Sequence, residues 1–196
     1  EPIRAPYLIS EADFLGIHNP VFLERFDLLD QMKEGGTVLL NTPFGPNAIW
    51  DELPRIFQEK LISKKLRFFV IDANAVAKEA GLRGLINTVM QSCFFGISNV
   101  LPRDRAIEQI KNSIRKAYGK KGEEVVQMNL RSVDMSLEHM FEIKIPAKAT
   151  SLKELPPSVA DGAPAYGRDV IGTMIRNQGD SLPVSAMPVD GTFPTR

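Results

Sequence analysis

Residues 66–72 read Leu-Arg-Phe-Phe-Val-Ile-Asp, an apolar run between a basic turn and an acid. Its length and its aromatic and β-branched content are typical of a buried β-strand. The stretches 12–18 (ADFLGIH) and 37–41 (TVLLN) have a similar apolar character and predict two further strands. Continuous apolar strands of this kind are typical of a parallel sheet that is covered on both faces.

Amphipathic helices are predicted between and after these strands. Apolar residues recur at spacings of three and four in five segments: 21–32, 50–61, 87–98, 104–118 and 123–140. Pro54 must lie in the first turn of its helix or kink it. The alternation predicts an α/β domain with a mainly parallel sheet and helices on both faces. Because no glycine-rich turn follows an opening strand, we expect this sheet to be incomplete at the N-terminus.

The composition changes near residue 147. The last fifty residues are rich in glycine and contain six prolines, which are Pro156, Pro157, Pro164, Pro183, Pro188 and Pro194. We therefore predict two units, an α/β domain over 1–150 and an extended Pro/Gly-rich linker domain over 151–196.

Charge and cysteine content exclude several classes of function. Lysine plus arginine equals aspartate plus glutamate, 24 against 24, which argues against a general nucleic-acid binder or a peripheral membrane protein. No apolar stretch is long enough for a membrane span. One cysteine, Cys93, cannot form an internal disulfide or a four-thiolate metal site, and we expect a reducing, cytoplasmic setting. Since the chain begins at Glu1, we also expect it to be processed or cut from something longer.

Catalytic constellations are scarce. His18 and His139 are the only histidines, and neither has a neighbouring serine, cysteine or acid that suggests a nucleophilic triad. We expect both to be structural, and Cys93 between apolar residues to be a buried small hydrophobe. The basic segment 103–121 carries seven lysines and arginines against two acids, and we interpret it as a solvated helix face rather than as a phosphate site.

Polar residues at the ends of the predicted strands are candidates for ligand contacts. Asn41 and Thr42 follow one strand, and Asp72 and Asn74 follow another. In open parallel sheets ligands bind beyond these carboxyl ends. The alternative is that the asparagine suits a turn and that Asp72 caps the next helix, and we favour that structural interpretation.

Two further asparagines require partners. Asn87 lies at the start of an apolar helix, where it can act as an N-cap or contact a polar ligand. Asn129 borders the apolar stripe of its helix, and a partly buried amide needs a hydrogen-bond partner from a ligand or from a loop carbonyl.

Long blocks of the sequence resemble the pyruvate:ferredoxin (flavodoxin) oxidoreductase family. They occur in the same order as in that family and cover nearly the whole chain. The blocks are PIRAPYLISEADFLGIHNPVFLERFDLL (2–29), LLNTPFGP (39–46) with WDELP (50–54), FFVIDANAVAKEAGLRGLINTVMQSCFF (68–95), YGKKGEEVVQMNL (118–130) and the tail LPPSVADGAPAYGRDVIGTMIRNQGDSLPVSAMPVDGTFPT (155–195).

The resemblance implies a large enzyme that oxidises pyruvate with thiamine diphosphate and releases acetyl-coenzyme A. Electrons pass through 4Fe-4S clusters to ferredoxin or flavodoxin, and the intact enzyme is expected to be a homodimer. This chain is expected to be a fragment that is inactive alone, namely most of the gamma-type coenzyme-A-binding domain without its glycine-rich part, followed by the linker domain. Thiamine diphosphate and the clusters are expected in other domains of the enzyme.

The resemblance also implies that Asn87 (of INTVMQ) and Asn129 (of EVVQMN) contact coenzyme A, and it implies no catalytic or metal-binding residue. An alternative is a purely structural or interaction module without ligand contact. A free-standing flavodoxin-like or dinucleotide-binding protein is disfavoured because the glycine-rich loop is missing.

Overall fold

A computed structural model describes residues 11–82 and 84–193 and contains a four-stranded sheet. The strands are β1 (Ala12–Ile17), β2 (Met32–Asn41), β3 (Arg67–Ile71) and β4 (Phe141–Ile143), and they lie in this order across the sheet. The first three are parallel, and β4 runs antiparallel to β3. The mainly parallel α/β fold that the sequence predicts is confirmed.

Side chains of the central strands alternate between two apolar cores. Val38, Leu40, Phe68 and Val70 face one core, whereas Leu39, Phe69 and Ile71 face the other. This alternation follows from the two-residue period of a β-strand, and it explains why strands buried on both faces are apolar throughout.

Helices cover both faces of the sheet, as predicted. The helices are α1 (Ile49–Glu52), α2 (Arg55–Ser63), α3 (Ala73–Ala80), α4 (Asn87–Ile97), α5 (Arg103–Tyr118), α6 (Glu123–Glu138) and α7 (Gly172–Ile175). Helices α1 and α2 lie on one face, and α3 and α4 lie on the other. Helix α6 packs against α3 and α4, and α5 completes this layer by packing against α4 and α6. Pro54 is the N-cap of α2 and separates it from α1.

The prediction of a helix over 21–32 is wrong. Only a short 3₁₀ turn, Pro20–Glu24, forms there, and Met32 already belongs to β2. The carbonyls of this segment find a partner elsewhere in the fold, because the Nζ of Lys64 donates to Leu29 O at 3.0 Å, Asp30 O at 2.6 Å and Met32 O at 2.8 Å.

An ion-pair cluster holds the same segment in place. Lys60 on α2 donates to the carboxylates of Asp27 and Asp30. The hydrogen bond from Lys60 lowers the pKa of Asp30. Lys60 on α2 and Lys64 at its C-cap therefore hold this segment without helical hydrogen bonds, Lys60 through two carboxylates and Lys64 through three carbonyls.

β2 begins earlier than predicted and contains an irregularity. Ala12 lies opposite Met32 but Phe14 lies opposite Thr37, so β2 has additional residues in this interval. Gly35 adopts a φ of +73°, which a glycine tolerates without steric cost. The short strand β4 was not foreseen from the sequence.

The segment after β4 is anchored to α1 and α2 by a buried glutamine. Gln58 is fully buried, and its Oε1 accepts hydrogen bonds from Thr150 N at 2.8 Å and Ser151 N at 2.9 Å. Its Nε2 donates to Trp50 O at 2.6 Å. Beyond this anchor the tail consists of irregular chain and short helical turns, including a π-helical turn at Gly167–Ile171 before α7. The division of the chain at 150/151 stays a prediction. None of the helices in the described ranges combines the length and apolarity that crossing a bilayer requires.

We expect Lys64→Met to lower the free energy of unfolding by about 2 kcal/mol, because it removes a charged donor from three carbonyls. Urea denaturation measures the change. Lys65→Met is the matched control, since Lys65 lies on the surface and forms an ion pair with the exposed Glu34. Equal losses in the two variants would contradict a special role for Lys64.

We expect Gln58→Leu to lower the free energy of unfolding by about 3 kcal/mol, since the buried partners at Trp50, Thr150 and Ser151 lose their hydrogen bonds. Limited proteolysis should then cut near residue 150 faster than in the unsubstituted protein. The exposed Gln109 on α5 supplies the control variant Gln109→Leu, for which neither quantity should change. A Gln58→Leu protein with unchanged proteolysis would show that this glutamine does not anchor the tail.

Candidate functional site

The carboxyl ends of the three parallel strands meet at one edge of the sheet, where Asn41 joins them. Its Nδ2 donates to His18 O at 2.9 Å, just beyond β1, and its Oδ1 accepts from Ala73 N at 2.9 Å, at the start of α3. The side chain is buried, and both ends of the amide are satisfied by backbone. Asn41 therefore has a structural role, but as the last residue of β2 that joins two neighbouring segments and not as the turn residue that the sequence predicted.

The other strand-end residues are also explained locally. Asp72 caps α3, because its Oδ1 accepts from Ala75 N at 2.8 Å. Thr42 is buried, and its Oγ1 accepts from Phe44 N at 3.2 Å. Asn74 lies exposed in the first turn of α3.

Asn87 is the first residue of α4 and is exposed. The residue in the N-cap position is Ile86, and no side chain caps this helix. The interpretation of Asn87 as an N-cap is therefore wrong. Asn87 is instead one of the residues that line a cavity between α4 and the β1–β2 side of the sheet.

This cavity has a volume of about 470 Å³ and is open to solvent. We call it the β1–α4 cavity. It is lined by Phe14, Gly16, His18, Leu39, Asn87, Met90, Gln91 and Phe94. It lies beside the carboxyl end of β1, a position at which parallel α/β sheets bind ligands.

Asn129 lies behind the start of α4. It is buried on α6, its Nδ2 donates to Val125 O at 2.8 Å, and its Oδ1 lies 3.5 Å from the Oγ1 of Thr88. The partner that the sequence requires is thus a carbonyl of its own helix. Thr88 follows Asn87 directly in the sequence. Thr88 therefore connects the two predicted site residues, because it adjoins Asn87 and contacts Asn129.

Small polar residues allow α4 and α6 to approach closely. Ser92 Oγ donates to Thr88 O at 2.7 Å, and Ser132 Oγ donates to Asn129 O at 2.8 Å. A Cβ added at Gly96 would lie only 2.7 Å from Leu137 Cδ2. Because the hydroxyls of Ser92 and Ser132 are satisfied within their own helices, these two side chains can be buried between α4 and α6.

The histidine at the end of β1 is more exposed than the sequence predicts. His18 was expected to be structural because it ends an apolar strand, yet its side chain is exposed and lines the β1–α4 cavity. Its place at a strand end is the signal that could have found it. His139 is the C-cap of α6 and lines a separate small cleft of about 120 Å³ with Thr42 and Asp72.

Comparison with known proteins identifies the family. The family model described as pyruvate ferredoxin/flavodoxin oxidoreductase matches residues 1–139, and a second model, described as a domain of unknown function, matches residues 152–196. The chain belongs to the pyruvate ferredoxin/flavodoxin oxidoreductase family.

Its relatives are much longer proteins. The chain is 50% identical over 194 residues to the pyruvate-flavodoxin oxidoreductase of Rhodospirillum rubrum, which covers 99% of this chain and 16% of that protein. It is 42% identical over 195 residues to the pyruvate:ferredoxin oxidoreductase of Moorella thermoacetica, covering 99% of this chain and 17% of that protein. The chain thus spans about a sixth of the length of these curated relatives.

A solved structure shares the fold. The crystal structure of pyruvate oxidoreductase subunit PORC from Thermotoga maritima superposes with a TM-score of 0.53 and 20% identity, covering 69% of this chain and 67% of that subunit. At this identity the likeness supports the α/β fold alone.

The family's iron–sulfur chemistry does not fit the residues of this chain. A 4Fe-4S cluster needs four thiolates, and the sequence contains one cysteine. Among residues 11–82 and 84–193, no group of three or more histidine, cysteine or acidic side chains could hold a metal ion.

Cys93 itself is buried in the core between the sheet and α4, as predicted. Burial raises the pKa of its thiol to about 12. A thiol in this environment packs as a small apolar side chain and is a poor nucleophile.

The basic segment on α5 pairs partly with acids. Lys111 Nζ donates to Asp134 on α6 at 2.5 Å, and Arg115 donates to the side chain of Asn112 at 3.1 Å. A groove of about 490 Å³ on this helix contains Arg103 and Lys111 but also Asp104 and Glu108. The mixed charges agree with a solvated face.

We expect Cys93 of the folded protein to react very slowly with a disulfide reagent such as DTNB at pH 8. With a pKa of about 12, on the order of one thiol in ten thousand is ionised at that pH. Absorbance at the thionitrobenzoate band follows the reaction, and the protein unfolded in urea is the control that should react promptly. Rapid labelling of the native protein would contradict the burial of Cys93.

Proposed function

We propose that this chain is the coenzyme-A-binding part of an enzyme that oxidises pyruvate to acetyl-coenzyme A. The β1–α4 cavity supports the proposal most directly, since it lies at the end of β1 and the exposed residue Asn87 is part of its lining. In this reaction the enzyme passes the electrons to ferredoxin or flavodoxin. The names of the relatives give the same two acceptors.

Asn87 is the proposed direct contact. Its amide offers both a donor and an acceptor, and the residue is exposed at the first position of α4. Neutral hydrogen bonds of this kind each contribute about 1 kcal/mol to binding.

Asn129 is proposed to act as a positioning residue. It is only 4% exposed, so in this structure its amide is turned to the protein. The contact between Asn129 and the hydroxyl of Thr88 supports the first turn of α4, on which Asn87 is carried. Loss of Asn129 should therefore move the start of α4 and weaken binding indirectly.

The role of this domain in the proposed reaction is to hold the acyl acceptor. A bound coenzyme presents its thiol at a defined place, which makes acyl transfer effectively unimolecular. Thiamine diphosphate and 4Fe-4S clusters are assigned to other domains of the longer, homodimeric enzyme, with which this chain is proposed to pack. Within such an enzyme the chain also serves as a scaffold between domains.

A purely structural function is the second candidate. The tail exposes large apolar side chains, of which Leu152, Val184 and Val189 are the most exposed. Such residues are suited to packing against another surface. This observation supports a scaffold, but it leaves the amides of the β1–α4 cavity without a function.

We expect Asn87→Ala to raise the KM for coenzyme A roughly fivefold in the full-length oxidoreductase. Steady-state kinetics with varied coenzyme A measure this change. Reduction of the enzyme by pyruvate in the absence of coenzyme A should stay unchanged, because that step precedes acyl transfer. Thr88→Val tests the positioning role, and we expect a smaller rise in KM without loss of the fold by circular dichroism.

Asn74→Ala is the matched control. Asn74 is likewise exposed in the first turn of a helix beside a strand end, and it does not line the β1–α4 cavity. An unchanged KM in Asn87→Ala together with a native circular dichroism spectrum would refute the coenzyme site and favour the scaffold.

A further inference from the structure

A cleft lies between the turn that follows α7 and the segment 26–31. Arg176, Asn177 and Gln178 form its wall on the tail, and Leu15 of β1 together with residues of the segment 26–31 forms the opposite wall. We call it the tail cleft. Its volume is about 360 Å³, within the range of roughly 300–1,000 Å³ that is usual for sites of small ligands.

We propose that the tail cleft binds a small zwitterion, namely an α-amino acid with an apolar side chain. Arg176 is the proposed partner of the ligand's carboxylate, and Asp30 is the proposed partner of its ammonium group. The site is distinct from the β1–α4 cavity, because Leu15 packs on the face of the sheet that α1 and α2 cover, whereas Phe14 packs on the opposite face. The inference therefore does not depend on the proposed coenzyme function.

The guanidinium of Arg176 is oriented without being neutralised. Its three nitrogens donate to Ser158 Oγ at 3.0 Å, Thr173 Oγ1 at 3.1 Å and Gln178 Oε1 at 3.4 Å, all of which are neutral acceptors. Within residues 11–82 and 84–193 no carboxylate forms an ion pair with it. A guanidinium has five N–H donors, so two remain for the carboxylate of a ligand.

The turn that carries Arg176 is fixed by its backbone. Asn177 N donates to Met174 O at 2.9 Å, and Gln178 N donates to Thr173 O at 3.1 Å. Asn177 adopts a left-handed φ of +62°, which is common for the residue that follows the end of a helix. Because the arginine is held in place before a ligand arrives, its binding costs little conformational freedom.

The opposite wall carries an exposed carboxylate. The side chain of Asp30 is 58% exposed, and Lys60 Nζ occupies its Oδ1 at 2.8 Å. The hydrogen bond from Lys60 lowers the pKa of Asp30, so this carboxyl is ionised at neutral pH. The neighbouring ammonium of Lys64 is taken up by three backbone carbonyls. Since a carboxylate accepts about four hydrogen bonds, Asp30 has acceptor sites left for an ammonium group.

The opposite charges line one cleft without joining. Arg176 lies in the same lining as Asp27 and Asp30, yet it forms an ion pair with neither of them. A ligand with one anionic and one cationic group satisfies both walls at once. A phosphate or another polyanion is disfavoured, because the aspartates repel it.

Apolar side chains complete the lining. Leu15, Phe26 and Leu28 are half-buried and lie beside the charged groups. They provide a surface on which an aliphatic side chain loses contact with water. The combination of a cation, an anion and an apolar surface in one concave site is the arrangement that an apolar amino acid complements.

The probe is L-leucine, and its binding to the full-length oxidoreductase is measured by equilibrium dialysis. We expect saturable binding, and binding weaker by roughly tenfold for isocaproate and isoamylamine, each of which lacks one of the two charges. Arg176→Gln and Asp30→Asn should each weaken binding of L-leucine roughly tenfold. Arg168→Gln on the same tail and Asp13→Asn, whose aspartate pairs with Lys33 on the surface, are the matched controls outside the cleft. Circular dichroism verifies the fold of each variant.

Four outcomes overturn the inference. These are no saturable binding of L-leucine at millimolar concentration, equal binding of L-leucine and isocaproate, equal binding of L-leucine and isoamylamine, and binding that Asp30→Asn leaves unchanged. Slow hydrogen exchange of residues 176–178 in the full-length enzyme without leucine overturns it as well, because a neighbouring domain then fills the cleft. Selective loss of L-leucine in both cleft variants and in neither control supports it.

Discussion

The buried amide of Asn41 is the constraint on which the arrangement of the site depends. It stands at the end of the central strand β2 and ties His18 O beyond β1 to Ala73 N at the start of α3. A backbone donor and a backbone acceptor that are buried at a strand end need partners, and one asparagine supplies both. The position of His18 beside α4, and hence the polar side of the β1–α4 cavity, follows from this contact.

A second layer of buried polar contacts supports the other side of the cavity. The serine-rich seam between α4 and α6 brings these helices together, and Asn129 reaches Thr88 across it. On the opposite face of the sheet, Gln58 anchors residues 150–151 to α1 and α2. The amide of Gln58 thus bonds backbone groups of two separate segments, whereas that of Asn129 bonds a carbonyl of its own helix and contacts Thr88 on the neighbouring one.

Much of the fold could be predicted from local pattern, and the exceptions have a physical cause. The structure confirmed the predictions of β1 and β3 from apolar runs and of α4, α5 and α6 from periodicity. Burial on one or both faces requires apolar residues at regular spacing, which the sequence shows directly. The prediction of a helix over 21–32 was wrong, and three carbonyls at the end of this segment accept hydrogen bonds from Lys64, which follows them by 32 to 35 residues in sequence. The spacing of apolar residues within a segment contains no information about a hydrogen-bond donor so distant in sequence. The place of His18 in the lining of a cavity was not predicted for a related reason, since strand ends converge only after the sheet has formed.

Asparagine, serine and glycine positions were visible in the sequence, but their functions were not. The sequence by itself determined the α/β class, the family and the absence of four cluster-forming thiolates, because periodicity, long matching blocks and cysteine number are properties of the chain alone. Only the tertiary structure decided that Asn129 faces the protein while Asn87, Gln91 and His18 share a cavity. The physical reason is that burial and hydrogen-bond pairing depend on residues that are distant in sequence and adjacent only in the folded chain.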